Sequence, residues 1–328
     1  RPTEQRPEEW MLLAASGRSI MSGGLTPEQK YIFDLTGYLV LRNVLTPEEV
    51  KQFNDAIDAN KGDIRERQGA VRNSQAASFQ GDGSTGRFDC GKMLEWPQPY
   101  CRPFQGLLNH PKLIPILNEL CGPGYRMDHL PLLILNKKGS EGFDFHGGAV
   151  SGNGQWSYEL AYHCHNGTIR NNLLAMAVQF CDTSPGDGGF IILPGSHKSN
   201  FALPKAIQGH EQFTELMQVP AMKAGDVLLF SEACSHGALP WTADHERRAV
   251  LYRFAPCTYA YGRGVYEIPD SVLVEMEAGQ RAVLEPPYHN RTDRPWPSAD
   301  GSGGAYVGSS RTQAKKDFDV EVFGHKYF

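Results

Sequence analysis

Gly225-Asp226-Val227-Leu228-Leu229-Phe230 is the stretch from which the rest of the chain can be read. A glycine–aspartate turn leads into four apolar residues, too short a run for a helix, which predicts a strand. The strand ends in Ser231-Glu232-Ala233-Cys234-Ser235 and arrives at His236-Gly237. Eleven residues beyond that histidine, Glu246-Arg247-Arg248-Ala249-Val250-Leu251-Tyr252 opens another strand on two arginines. Period-two alternation puts Arg247 and Arg248 on opposite faces.

From Tyr125 to about Pro256 the same texture recurs. Apolar runs at 126–136, 173–181, 189–193, 226–230, 236–240 and 247–254 are divided by Gly, Pro and Asp clusters. This spacing predicts an all-β sandwich or barrel. Ahead of it, Thr26-Pro27-Glu28-Gln29 and Thr46-Pro47-Glu48-Glu49 are helix starts, with Thr to cap and a Gln or Glu three residues on. Gly37–Leu41 reads as a short strand between them, and His110–Leu120 as a further helix. Gly81–Gly86 reads as a flexible loop, a candidate lid. Asp270–Ala278 reads as helix, and Ser298–Ser310 as irregular surface chain. The expected layout is residues 1–124 as an N-terminal helical flank, 125–260 as the β core and 261–328 as an extension, forming one unit.

Composition narrows the class. The 328 residues are 40% hydrophobic and 21% charged, with 35 Gly and 22 Pro, which describes a globular chain rich in turns. A net charge of −5 offers no basic footprint for nucleic acid or anionic lipid. The longest apolar stretches, Leu130–Leu135 and Leu173–Val178, fall far short of a membrane span of about 20 residues. The run Met11–Ala15 follows Glu4, Glu8 and Glu9, too short and too acidic for a secretory or transit segment. Seven scattered cysteines without a C-x-x-C pair fit reduced thiols in the cytoplasm.

Four pieces carry chemistry. They are Phe145-His146-Gly147-Gly148, then Pro185–Gly189 leading to Pro194-Gly195-Ser196-His197-Lys198, then the Gly225–Gly237 stretch, then the Arg247 strand. In this order, over residues 30–260, they resemble the phytanoyl-CoA hydroxylase-like family of Fe(II)/2-oxoglutarate oxygenases. The resemblance implies a mainly β fold with flanking helices, a double-stranded β-helix or cupin-like jelly roll. It implies Fe(II) held by His146 and His236, 90 residues apart, with positions left open for the keto acid and O₂. It makes Arg247 the anchor of the far carboxylate of 2-oxoglutarate, because a planar guanidinium grips a carboxylate bidentately; Arg248 ranks second. The implied activity is hydroxylation of a small organic molecule.

One departure decides how far this carries. The family pattern is H-x-D, and the position of that Asp is Gly148. Three readings follow. Glu232, four residues before His236 in the Ser231–Ser235 turn, supplies the carboxylate, with Asp144 the weaker substitute. Alternatively the site is open at Gly148 for a halide, as in related iron halogenases. Or the metal site is degenerate and the protein is a non-catalytic jelly-roll binding module. A second departure is Ala238, where relatives often place a hydroxyl for the cosubstrate. His197 reads as a structural turn residue, and His163 and His165 as a half-site with no second half. Trp156, Tyr158 and Tyr162 are candidates for a substrate mouth, as are the stretches 61–90 and 150–170 for substrate contacts. The sequence leaves oligomeric state open.

Overall fold

A computed structural model describes residues 24–68, 76–262, 267–288, 293–308 and 312–324. In chain order its strands are β1 (Tyr38–Leu41), β2 (Arg65–Glu66), β3 (Arg87–Cys90), β4 (Arg126–Asn136), β5 (Phe143–His146), β6 (Tyr162–His165), β7 (Thr168–Asn171), β8 (Leu174–Gln179), β9 (Gly189–Ile192), β10 (Val227–Ser231), β11 (His236–Leu239), β12 (Arg247–Ala255), β13 (Arg294–Pro297) and β14 (Ala305–Gly308). Seven of them form one antiparallel sheet in the order β1-β10-β8-β12-β4-β3-β2. A smaller antiparallel sheet, β5-β11-β9, faces it. The architecture is thus the expected jelly roll of two sheets, without closure into a barrel.

Alternation explains the packing. On β10, Val227 and Leu229 turn outward into the largest core cluster, while Leu228 and Phe230 turn inward with Ala175, Ala177 and Ile192. The outer cluster is completed by helices α1 (Pro27–Thr36) and α2 (Pro47–Ala59), which supply Phe33, Val50 and Phe53, and by later segments that supply Phe104, Leu117 and Leu120. Both helices start with the expected capping boxes, Thr26 with Gln29 and Thr46 with Glu49. The inward residues of β8 are alanines, so the two sheets do not fill the space between them, and a cavity of about 220 Å³ remains.

Three parts of the chain differ from the sequence reading. Residues 24–124 contribute three strands to the large sheet as well as helices. The 81–86 loop is fastened down: Asp82 N donates to Gly139 O at 3.1 Å and Gly86 N to Glu66 Oε1 at 2.7 Å. Near the C-terminus the helix expected over 270–278 is split into Asp270–Leu273 and Ala278–Leu284. Part of the expected irregular stretch is β14, paired with β13, and a further helix spans Gln313–Phe323.

Candidate metal centre

His146 ends β5 and His236 begins β11, and the two are register partners, so their side chains leave the small sheet side by side with ring centroids 4.2 Å apart. Each ring is oriented from behind: Nδ1 of His146 lies 3.0 Å from the Asp144 carbonyl and Nδ1 of His236 lies 2.8 Å from the Cys234 carbonyl. A carbonyl only accepts, so Nδ1 carries the proton and Nε2 keeps its lone pair. Burial lowers the pKa of both rings, that of His236 to about 3, with the neighbouring His146 adding to the effect. Both are therefore neutral, the form that binds a metal.

Glu232 joins them from the turn between β10 and β11. Its Oε2 stands 3.6 Å from His236 Nε2, and its Oε1 accepts from Arg253 Nε at 2.6 Å. Burial works against its charge, yet Arg253, His236 and His146 together pull the carboxyl down to about 2. One donor atom from each of His146, Glu232 and His236 lies within 4.8 Å of the others. Two neutral imidazoles and one carboxylate are a donor set suited to a divalent transition metal with open positions.

The cavity between the sheets begins at this group. Arg247 enters it from the start of β12, 6% exposed, and donates from one Nη to Asn136 Oδ1 at 3.1 Å, while its Nε has no partner. Burial, reinforced by the Arg87 charge, lowers its pKa to about 10, so it stays cationic at neutral pH. Gly189 makes room for it, since a Cβ there would lie 3.0 Å from Arg247 Nε. Gly189 pairs with Leu239, three residues along β11 from His236. The guanidinium therefore lies on the order of 10 Å from the histidine. On the other side of Asn136 in the same register row stands Arg87 of β3, also buried and also with an unpaired Nε.

The profile of the phytanoyl-CoA dioxygenase (PhyH) family matches residues 33–249. The chain belongs to that family. Membership puts it among the Fe(II)/2-oxoglutarate-dependent oxygenases, the class that the sequence resemblance implies. A search of curated proteins matched none. Among solved structures, HygX from Streptomyces hygroscopicus, with nickel, 2-oxoglutarate and hygromycin B bound, is 21% identical with a TM-score of 0.59. That match covers 76% of this chain and 94% of HygX. EctD from S. alaskensis, with 2-oxoglutarate and 5-hydroxyectoine, is 16% identical with a TM-score of 0.52, over 75% of this chain and 83% of EctD. The carbocyclase SnoK from nogalamycin biosynthesis is 17% identical with a TM-score of 0.51, over 80% of this chain and 92% of SnoK. These likenesses establish the shared fold.

Within this PhyH-family chain the other expected residues fall away from the metal group. Gly148 has φ +95°, and a Cβ there would meet Ser235 Oγ at 3.5 Å and Val150 O at 3.9 Å; it lines a different cavity, beside Leu193 and Phe201. Asp144 faces the backbone N–H of Ala76. Arg248 lies on the outer face, bound to Asp58 and Glu246 at 2.8 Å each. His197 is buried with its Nε2 3.0 Å from the Asp34 carbonyl, and burial lowers its pKa to about 4. His163 and His165 stack on the β6–β7 hairpin with centroids 6.3 Å apart. Tyr162 donates its hydroxyl to Asp34, while Trp156 and Tyr158 are exposed, and none of the three lines the cavity. From 61–90, Arg67 and Arg87 do line it, and Arg253 does so from β12. Sequence reading missed these arginines. The one usable signal was parity: Arg253 stands six residues beyond Arg247, so strand alternation puts both on the same face.

Proposed function

We propose that the protein is an Fe(II)/2-oxoglutarate-dependent oxygenase that hydroxylates a small organic molecule. The metal is held by His146, His236 and Glu232, and the far carboxylate of 2-oxoglutarate by Arg247. The observation that carries this reading is a buried His–Glu–His group whose two histidines line an inter-sheet cavity that also holds the partly unpaired guanidinium of Arg247. Iron and 2-oxoglutarate bound there supply O₂ activation, coupling decarboxylation of the cosubstrate to succinate with oxidation of the substrate. The chain's own residues do the rest. The two Nδ1–H bonds fix the imidazoles with Nε2 inward. Arg247 neutralises a carboxylate that would otherwise be costly to bury. The facing sheets keep water from the site, which strengthens each of these contacts. Arg87, next in the same row, adds a second positive charge where Ala238 brings no hydroxyl.

Glu232 also favours hydroxylation over halogenation. An open halide position needs the carboxylate to be missing, whereas here it arrives from the 231–235 turn while Gly148 turns to another cavity. The seven cysteines are free thiols, which supports placement in a reducing cytoplasm. Among the described residues, no helix is long and apolar enough to cross a membrane.

Anaerobic addition of Fe(II) and 2-oxoglutarate should produce a weak visible charge-transfer band, and O₂ should then release succinate. Absence of both would overturn the enzyme reading. Glu232→Ala should weaken iron binding markedly and abolish turnover, and iron binding near the wild-type level in that variant would favour the halide reading instead.

A further inference from the structure

The two oxygens of Glu232 have different surroundings. Oε2 faces the histidines, while Oε1 is taken by Arg253 Nε. Arg253 is rooted in β12, which is flanked by β4 and β8 at the middle of the large sheet, and its Cα partners are His129 and Ala175. Glu232 is rooted in the turn that leaves the large sheet for the small one. The ion pair therefore ties the ligand-bearing turn to a central strand of the large sheet. Both side chains are mostly buried, at 7% exposure for Glu232 and 19% for Arg253.

A glutamate ligand needs such a tie more than an aspartate would. Its carboxylate is one rotatable bond further from the backbone, so more freedom has to be lost before it can coordinate. Arg253 also acts in the opposite direction, because a cation beside the carboxylate repels an incoming metal ion. With its charge working against the metal, what Arg253 can contribute is geometry.

We propose that Arg253 is a positioning residue, which holds Glu232 Oε1 so that Oε2 alone is presented to the metal. This rests on the reading of Glu232 as a ligand. Removing groups that orient metal ligands typically lowers metal affinity by about 10- to 100-fold.

The test is an anaerobic titration of the full chain with Fe(II), without cosubstrate, in wild type, Arg253→Met, Arg253→Lys, Glu232→Ala and the two double variants. Arg253→Met should weaken Fe(II) binding by about 10- to 100-fold. Arg253→Lys, which keeps a donor but loses the planar fork, should weaken it less. Neither should cause further loss once Glu232 is alanine, because residues acting through one contact are not additive. Arg253→Lys keeps the buried charge paired, so the comparison stands even if Arg253→Met does not fold. Wild-type affinity in both Arg253 variants, or equal losses with and without Glu232, would overturn the role of Arg253 and leave Glu232 as a ligand. Wild-type affinity in Glu232→Ala would overturn the ligand reading, and this one with it.

Discussion

A buried guanidinium with an unused nitrogen is costly to maintain, and the cavity holds two of them, Arg247 and Arg87, on either side of Asn136. A hydrogen bond to a charged group contributes about 1.5–3 kcal/mol, and each 1.4 kcal/mol is roughly tenfold in an equilibrium constant. Arg247→Met is therefore expected to raise the KM for 2-oxoglutarate by about tenfold or more, and Arg87→Met by a smaller factor. Succinate release measured against cosubstrate concentration checks both, and an unchanged KM in Arg247→Met would place the far carboxylate elsewhere. These two arginines were unequally visible in the sequence. Arg247 follows a buried apolar strand and a histidine at a telling distance. Arg87 lies on a four-residue strand, Arg87-Phe88-Asp89-Cys90, whose apolar residues face the outer core, so alternation alone reads Arg87 as turned to solvent and not to a cavity. The same physics hid Arg253, an apparently ordinary charge late in an apolar strand.

At the scale of the element, the two glycines after His146 have separate duties. Gly147 has φ +84°, and a Cβ there would lie 2.5 Å from Cys234 O and 2.7 Å from Glu232 O. It is where β5 meets the turn that carries Glu232. Gly148 shares the left-handed backbone but has space around it. Alanine in that conformation costs about 1–2 kcal/mol. Gly148→Ala should therefore lower the melting temperature modestly and leave Fe(II) binding intact, whereas Gly147→Ala should lose both stability and Fe(II) affinity. An aspartate at 148 in the Glu232→Ala background should not restore metal binding, because that position opens on the other cavity; calorimetry and metal titration separate these cases. The sequence made the core strands legible because each is a bounded apolar run. It hid the β13–β14 pair, where Pro295, Pro297, Gly303 and Gly304 carry the usual signature of loops.

Across the whole molecule, the far edge of the large sheet depends on Asp226. This carboxylate is 1% exposed and accepts from the backbone N–H groups of Lys223 and Asn43 at 2.8 and 2.9 Å and from Arg42 at 2.8 Å. Burial raises its pKa, but those three donors outweigh it and leave the pKa below the ordinary 3.8. Because the folded value lies below the unfolded one, the stabilisation is complete above about pH 4 and is lost as pH falls through the folded value. Asp226→Asn should cost about 1.5–3 kcal/mol at pH 7, the worth of a charge-assisted bond, and should flatten the fall in stability on the acid side. Urea unfolding at pH 7 and pH 3 checks this.

The Arg87–Asn136–Arg247 row has a mechanical consequence as well. Its three residues come from early, middle and late parts of the chain, and β3, which carries Arg87, lies one strand from the sheet edge. The far carboxylate of the cosubstrate, held by Arg247 with Arg87 next in the row, would act as a rivet, pinning that outlying strand to the centre of the sheet. Cosubstrate would then do two jobs, feeding the reaction and fastening the fold, and a cell short of the keto acid would hold a slacker protein as well as an idle one.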